Sequence, residues 1–281
     1  MRTGPATPGA GSFHEWPLVL FTTLAVGGAG LLATPLLSWV AAGTPAPAAA
    51  TVQWGALLLA GGLVVSLGHL GRPLRAPLAS GGLGRSRLSA EVVAGVGAAL
   101  LGTTAAFLPY VSPILDIATA LSAIVFLVTL GVVYDLPGQR TWRGVVVWMP
   151  LTSGLGFGAV GLAGSWGGAL AAVGAVAAVV LAADTALLIV RRLGLVWPRA
   201  PLAPRYPAIF ARLQAILLTR FALVDILPGC CLLAGLRWTA VVLFGLGILV
   251  DRASFYGLAA QQTTESELAR AEVLIAASPG H

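Results

Sequence analysis

Residues 113–134, PILDIATALSAIVFLVTLGVVY, form a stretch of 22 residues with a single charged side chain, Asp116. A helix needs about 20 apolar residues to cross the ~30 Å hydrocarbon core of a bilayer. Comparable stretches recur along nearly the whole chain of 281 residues, which is 58% hydrophobic and 9% charged and has a mean hydropathy of +0.92. Such values exceed what a soluble domain tolerates. The sequence therefore predicts an all-α integral membrane protein.

Glycine, proline and arginine residues divide the apolar sequence into eight candidate transmembrane helices. Their approximate bounds are 16–41, 50–70, 89–109, 113–134, 144–165, 167–190, 208–234 and 238–260. An even number of spans places both termini on the same side of the membrane. We expect a flexible N-terminal tail over residues 1–13, a membrane domain over residues 14–262 and a C-terminal tail over residues 263–281.

The 16 basic residues are all arginines, and their distribution predicts the orientation of the bundle. Thirteen of them fall on the face that carries the termini, whereas Arg237 alone falls on the opposite face. Short loops rich in arginine remain in the cytoplasm, so both termini are predicted to be cytoplasmic. Because this clustering reflects membrane topology, the basic balance does not indicate binding to nucleic acid.

Ionisable side chains inside predicted spans are candidates for function. Counted at 1.5 Å per residue from the flanking loops, they collect in one half of the membrane. They are Glu91, Asp184, Arg220, Asp251 and Arg252. His69 and Arg75 lie at the mouth of this polar layer. A layer of this kind suits an amphipathic ligand whose head group is polar and whose tail stays in lipid, as in a quinone.

Oxidation of a quinol releases two protons, so the site needs a proton acceptor, and His69 is the natural candidate. Arg75 would hold a quinone oxygen or keep Glu91 ionised as an acceptor. A histidine that is only hydrogen-bonded at a helix end is the alternative for His69. For Asp184, Arg220 and Asp251 we favour structural ion pairing inside the membrane.

Few side chains are available to hold a redox centre. Apart from the terminal His281, the histidines are His14 and His69, which lie near one surface and do not form a helical pair, so we expect no haem. Two adjacent cysteines, Cys230 and Cys231, cannot ligate an iron–sulfur cluster. No metal site is predicted. Beside His14, Trp16 begins the first span at a position typical of interfacial anchoring.

Five motifs resemble the membrane anchor subunits of bacterial dimethyl sulfoxide reductases, the DmsC family within the wider polysulfide reductase (NrfD) anchor group. They occur in the family's order and at roughly its spacing. The motifs are FHEWPLVLFTTL (13–24), LGHLGRPLRA (67–76), SRLSAEVVAG (86–95), VVYDLPGQRTW (132–142) and DRASFYGL (251–258).

The resemblance implies an eight-helix bundle without haem. It further implies that the bundle oxidises menaquinol and passes electrons to a four-cluster iron–sulfur subunit, which supplies a molybdopterin catalytic subunit. By motif, the quinol-site histidine, glycine, arginine and acidic residue of the family correspond to His69, Gly71, Arg75 and Glu91. The other motif positions assigned to quinone binding are His14, Trp16, Tyr134 and Arg252.

Three alternatives remain open at this level. The same site would run in reverse in a sulfite dehydrogenase-type complex, reducing quinone. A proton or small-solute transporter is motivated by Asp184, Arg220, Asp225 and Asp251, and a purely structural anchor would have no site at all. For both quinol oxidation and quinone reduction, we expect the protein to lie in the bacterial inner membrane among lipids. The arginines place the partner-docking face in the cytoplasm.

Overall fold

The computed structural model describes residues 16–43, 49–68, 86–108, 112–134, 147–165, 180–181, 183–186 and 207–259. These residues form helices and turns, with no strand among them. The helices are α1 (Trp16–Leu32), α2 (Thr34–Ala42), α3 (Ala49–Leu67), α4 (Arg87–Phe107), α5 (Pro113–Val133), α6 (Met149–Ser165), α7 (Pro207–Phe221), α8 (Leu227–Leu233) and α9 (Arg237–Ala259). A π-helical turn, Ala222–Ile226, joins α7 to α8. The all-helical prediction is confirmed for this part of the chain.

Five of the described helical segments are long and apolar enough to cross a membrane. They are Ala49–Leu67, Arg87–Phe107, Pro113–Val133, Gln214–Leu233 and Arg237–Tyr256. The bent pair α1 and α2 makes a sixth if it is counted as one span, and α6 is apolar but shorter. Of the predicted span 167–190, the structure describes residues 180–181 and 183–186, and these are helical. The count of eight spans and the side of the termini therefore stay predictions.

The first predicted span, 16–41, was expected to be one helix, but the structure breaks it at Ala33 and bends it by 40°. Pro35 causes the break because it has no N–H to donate to the carbonyl of Leu31, four residues earlier. The hydroxyl of Thr34 donates to that carbonyl instead, at 2.6 Å. A buried carbonyl without a hydrogen-bond donor is costly in lipid, and the hydroxyl of Thr34 avoids this cost at the bend.

The seventh predicted span, 208–234, also differs from a continuous α-helix. Its centre is the π-helical turn, which ends with the N–H of Leu227 bonded to the carbonyl of Ala222, five residues earlier. Pro228 follows directly and cannot donate a helical hydrogen bond. A π-helical turn widens the helix locally and rotates the side chains after it, which the apolar sequence pattern does not reveal.

Helix α1 lies at the centre of the bundle and packs against α3, α5, α6 and α9. Glycines permit this close approach, because a Cβ atom on Gly28 would collide with the backbone of α3 at Leu59, and one on Gly30 would collide with the backbone of α6 at Gly154. Small residues at helix interfaces are the usual means of packing helices in membranes. The central core that results includes Leu32, Leu59, Phe126, Val160 and Phe244.

The outer surface of the described bundle carries large apolar side chains. Val64 in α3 is 67% exposed, Leu100 in α4 is 65% exposed and Val242 in α9 is 60% exposed. In water such a surface would drive aggregation, whereas lipid tails match it. The described bundle therefore encloses its buried charged groups within an apolar core and presents apolar side chains to lipid.

Candidate functional site

Four predicted site residues lie outside the described part of the chain. His14 precedes α1, and His69, Gly71 and Arg75 fall between α3 and α4. Another predicted site residue, Trp16, begins α1. It is 44% exposed, so it does not enter the bundle core. The structure describes the inner part of the predicted site, to which α4, α5 and α9 contribute.

Glu91 lies on the inner face of α4, one turn after the start of the helix. Ser89 and Glu91 are each 4% exposed, although Leu88 between Arg87 and Ser89 is 54% exposed. The guanidinium Nη1 of Arg87 donates to the carbonyl of Val132 at 3.2 Å. This bond joins the start of α4 to the end of α5, and Glu91 lies one turn further along the buried face of α4.

Three aromatic residues form a cluster at the end of α5 and on α9. The hydroxyl of Tyr256 donates to the hydroxyl of Tyr134 at 2.6 Å. The rings of Tyr134 and Tyr256 meet edge to face at 5.8 Å, and Phe255 lies 5.2 Å from each of them. We call Tyr134, Phe255 and Tyr256 the aromatic cluster. Edge-to-face pairs hold their rings in a defined orientation, which fixes the two hydroxyls.

One acidic and one basic side chain lie near the aromatic cluster. Glu91 and Arg252 both lie close enough to influence the hydroxyls of Tyr134 and Tyr256 electrostatically. The guanidinium carbon of Arg252 stands 5.8 Å above the centre of the Phe255 ring, which is cation–π distance. Three residues that the sequence predicted separately, Glu91, Tyr134 and Arg252, are thus neighbours of one cluster.

Arg252 is buried and retains donors without acceptors. It is 2% exposed, and neither its Nε nor its Nη2 donates a hydrogen bond of normal geometry to a residue that the structure describes. Its Nη2 lies 3.2 Å from the Oδ2 of Asp251 as an ion pair. Buried N–H groups without acceptors are rare, and they are expected where a ligand supplies the acceptor. A quinone carbonyl oxygen is an acceptor of this kind.

A second group of charges lies deeper along α9. Its members, which we call the buried charge network, are Asp184, Arg220, Asp225, Asp251 and Arg252. The Nη2 of Arg220 bonds to the Oδ2 of Asp184. Its Nε lies 3.5 Å from the Oδ1 of Asp251, and its Nη1 lies 3.7 Å from the Oδ2 of Asp225. The structure thus brings together the three residues that the sequence grouped as ion-pair candidates.

Hydroxyl groups of α6 complete the coordination of Asp184. The Oδ1 of this carboxylate accepts a hydrogen bond from Thr152 at 2.7 Å and one from Ser153 at 3.3 Å. Ser153 also accepts a hydrogen bond from Arg220 Nη2 at 3.3 Å. Asp184 is therefore satisfied by three side chains, as a buried charge must be.

Sequence reasoning missed several residues of these two groups. Phe255 and Tyr256 follow Arg252 by three and four residues, so all three lie on one face of α9, and this spacing within the motif DRASFYGL was the available signal. Thr152 and Ser153 gave no signal, because hydroxyls in an apolar helix usually bond to their own backbone.

Within the described ranges, no three histidine, cysteine, aspartate or glutamate side chains are grouped as a metal site requires. His14 and His69 lie outside those ranges, so the expected absence of haem stays a prediction. What the described groups can do is donate, accept and relay protons and orient a polar head group.

Comparison with known proteins agrees with the motifs. The family model described as DMSO reductase anchor subunit (DmsC) matches residues 10–258. Over 88 residues the chain is 40% identical to the anaerobic dimethyl sulfoxide reductase chain YnfH of Escherichia coli (strain K12). The aligned residues make up 30% of this chain and 30% of that relative. The family match extends over most of the chain and includes Glu91, Tyr134 and Arg252. The chain belongs to the family of dimethyl sulfoxide reductase anchor subunits (DmsC).

Proposed function

We propose that this membrane protein exchanges electrons between the menaquinone pool and an iron–sulfur partner subunit, and that it does so by oxidising menaquinol. The observation that carries the proposal is the buried guanidinium of Arg252, whose Nε and Nη2 donate no hydrogen bond to a described residue. It lies over the ring of Phe255, which packs against the hydrogen-bonded pair Tyr134 and Tyr256. Donors, an acid and orienting rings are what a quinol head group needs.

The proposed reaction removes two electrons and two protons from the quinol. His69 accepts one proton, because its ordinary pKa is suited to accepting and releasing a proton near neutral pH. The carboxylate of Glu91 accepts the second. Arg75 and Arg252 hold the quinone oxygens. Gly71, His14 and Trp16 are assigned to the same quinone site by their positions in the family motifs.

The electrons leave the chain by tunnelling to a partner. We propose that this partner is a four-cluster iron–sulfur subunit, which passes them to a molybdopterin catalytic subunit. The absence of a haem or iron–sulfur cluster in this chain is part of the proposal, and it requires the quinol pocket to lie close beneath the partner. The arginine distribution supports a docking face in the cytoplasm.

The proposed direction of electron flow rests on the resemblance to the family and not on the geometry. The same residues would bind a quinone and protonate it in a sulfite dehydrogenase-type complex. Because an acid–base group works in both directions, the two reactions are separated by supplying quinol or quinone to the purified complex and measuring which one turns over.

His69→Ala tests the proposed function most directly. We expect quinol-linked turnover to fall by about 10²–10⁴-fold, the usual contribution of a general base, while activity with an artificial electron donor to the partner subunits is unchanged. His281→Ala, which removes the histidine at the end of the chain, is the matched control. Identification of the co-purifying subunits establishes the partners. Wild-type quinol kinetics in the His69 variant would refute the role of this histidine.

A further inference from the structure

The guanidinium of Arg252 has an ion-pair partner and an aromatic neighbour in the described part of the chain. Its Nη2 lies 3.2 Å from the Oδ2 of Asp251, the residue that precedes it in α9. Its central carbon lies over the ring of Phe255, 5.8 Å from the ring centre. Arg252 and Phe255 are three residues apart, which places them on one side of the helix. An ion pair at one nitrogen lets the guanidinium turn about that contact, whereas a ring beneath its centre limits this rotation.

The ring of Phe255 is itself held in place. It belongs to a small apolar core with residues of α1, α6 and α7, namely Val19, Met149 and Leu217. The rings of Tyr134 and Tyr256 each meet it edge to face at 5.2 Å. Because close packing and edge-to-face contacts fix the orientation of a ring, Phe255 is a rigid support for the cation above it.

We propose that Phe255 is a positioning residue of the candidate quinol site: its ring holds the guanidinium of Arg252 in the orientation in which this group binds a quinone oxygen. The inference rests on the proposed function and adds to it a residue that acts through Arg252. The face of an aromatic ring attracts a cation electrostatically, and the attraction is stronger where water is excluded. Both side chains are 2% exposed, so this condition is met.

The expected effect on kinetics lies in the binding step. Without the ring, Arg252 keeps its charge and its ion pair with Asp251 but occupies several orientations. The apparent affinity for a ligand then falls with the fraction of molecules in the competent orientation. A cation–π contact corresponds to about two- to thirtyfold in such an equilibrium. KM for quinol should therefore rise within that range, while kcat changes less, because the bound quinol restores the orientation of Arg252.

Phe255→Leu tests the proposal in the purified complex with its co-purifying subunits, with a short-tailed menaquinol analogue as electron donor. Leucine keeps an apolar side chain in the small core but has no aromatic face. Phe244→Leu is the matched control, because Phe244 lies on the same helix, is fully buried and meets Phe157 edge to face at 5.9 Å. It precedes Phe255 by eleven residues, which is about 16 Å along the helix. We expect a raised KM in Phe255→Leu and the wild-type KM in Phe244→Leu.

A second measurement decides the question if the leucine variant does not fold. Incorporation of 3,4,5-trifluorophenylalanine at position 255 keeps the shape of the ring nearly unchanged but withdraws negative charge from its face. A purely structural role would not be affected by this change, whereas a cation–π contact is weakened. KM should rise with the fluorinated residue at position 255 and keep its wild-type value with the same residue at position 244.

The outcomes separate this inference from the proposed function. A wild-type KM with the fluorinated residue at position 255, in a complex that oxidises quinol, overturns the positioning role of Phe255. An equal rise in KM for Phe244→Leu and Phe255→Leu also overturns it, because both variants would then act through the stability of α9 alone. A wild-type complex that does not oxidise quinol refutes the proposed function, and this inference with it.

Discussion

Replacement of Asp184 by asparagine should show how much the buried charge network contributes to stability. The amide keeps the size of the side chain and can still accept the hydrogen bond from Thr152, so the main loss is the charge that faces Arg220. Removing one partner of a buried ion pair costs about 3–5 kcal/mol, since it leaves the other charge uncompensated. Asp251 at 3.5 Å and Asp225 at 3.7 Å still face Arg220, which places the expected loss near the lower end, at about 3 kcal/mol.

The assay is reversible unfolding of the purified chain in mixed detergent and lipid micelles, followed by circular dichroism. Asp116→Asn serves as the control, with an expected loss of about 0.3–1 kcal/mol from its position at the start of α5. A double-mutant cycle with Arg220→Gln isolates the pair, and the coupling free energy should be about 1–3 kcal/mol. Additive effects of Asp184→Asn and Arg220→Gln, or a loss no larger than that of the control, would refute the reasoning.

Three further predictions concern the candidate site and the orientation of the bundle. Tyr256→Phe removes the hydrogen bond to Tyr134 but keeps the ring, so quinol-linked turnover should fall by about two- to tenfold, the equivalent of one net hydrogen bond. An unchanged rate would show that the hydroxyl is not used in turnover. The purified chain should give no haem band in a reduced-minus-oxidised spectrum, and a stoichiometric b-type band would contradict this expectation. Single cysteines that replace Gly82 or Pro45, in a background lacking Cys230 and Cys231, report the orientation of the bundle. A reagent added outside the cell membrane should label only the cysteine at position 45. Exclusive labelling at position 82 would mean that the arginines dock a partner outside the cytoplasm.

Sequence patterns predicted the helices well because a helix that crosses lipid must be long and apolar. A span must be apolar for about 20 residues, and α3, α4, α5 and α9 each fall within a predicted span to within a few residues. The break at Ala33 and the π-helical turn before Pro228 were harder to predict. Both depend on where a displaced carbonyl finds its donor, as Thr34 shows, and such local solutions leave the apolar pattern unchanged.

The candidate site was predicted less evenly. Charged residues inside spans stand out in an apolar sequence, so Glu91, Asp184, Arg220 and Arg252 could be named without a structure. Their partners could not, because a tyrosine or threonine in a helix has many roles that sequence does not distinguish. Tyr256 is separated from Tyr134 by 122 residues, and only the packing of α9 against the end of α5 brings the hydroxyls within 2.6 Å.

Arg252 belongs both to the buried charge network and to the candidate site. One edge of its guanidinium faces Asp251 at 3.2 Å, and its central carbon lies over the ring of Phe255 at 5.8 Å. Asp251 is in turn paired with the Nε of Arg220, whose Nη2 bonds to Asp184. The position of a donor proposed to hold the quinone head group therefore depends on charges that never contact the ligand. Loss of Asp251 should consequently disturb quinol binding as well as folding, because an unanchored Arg252 keeps its charge but loses the orientation of its N–H groups.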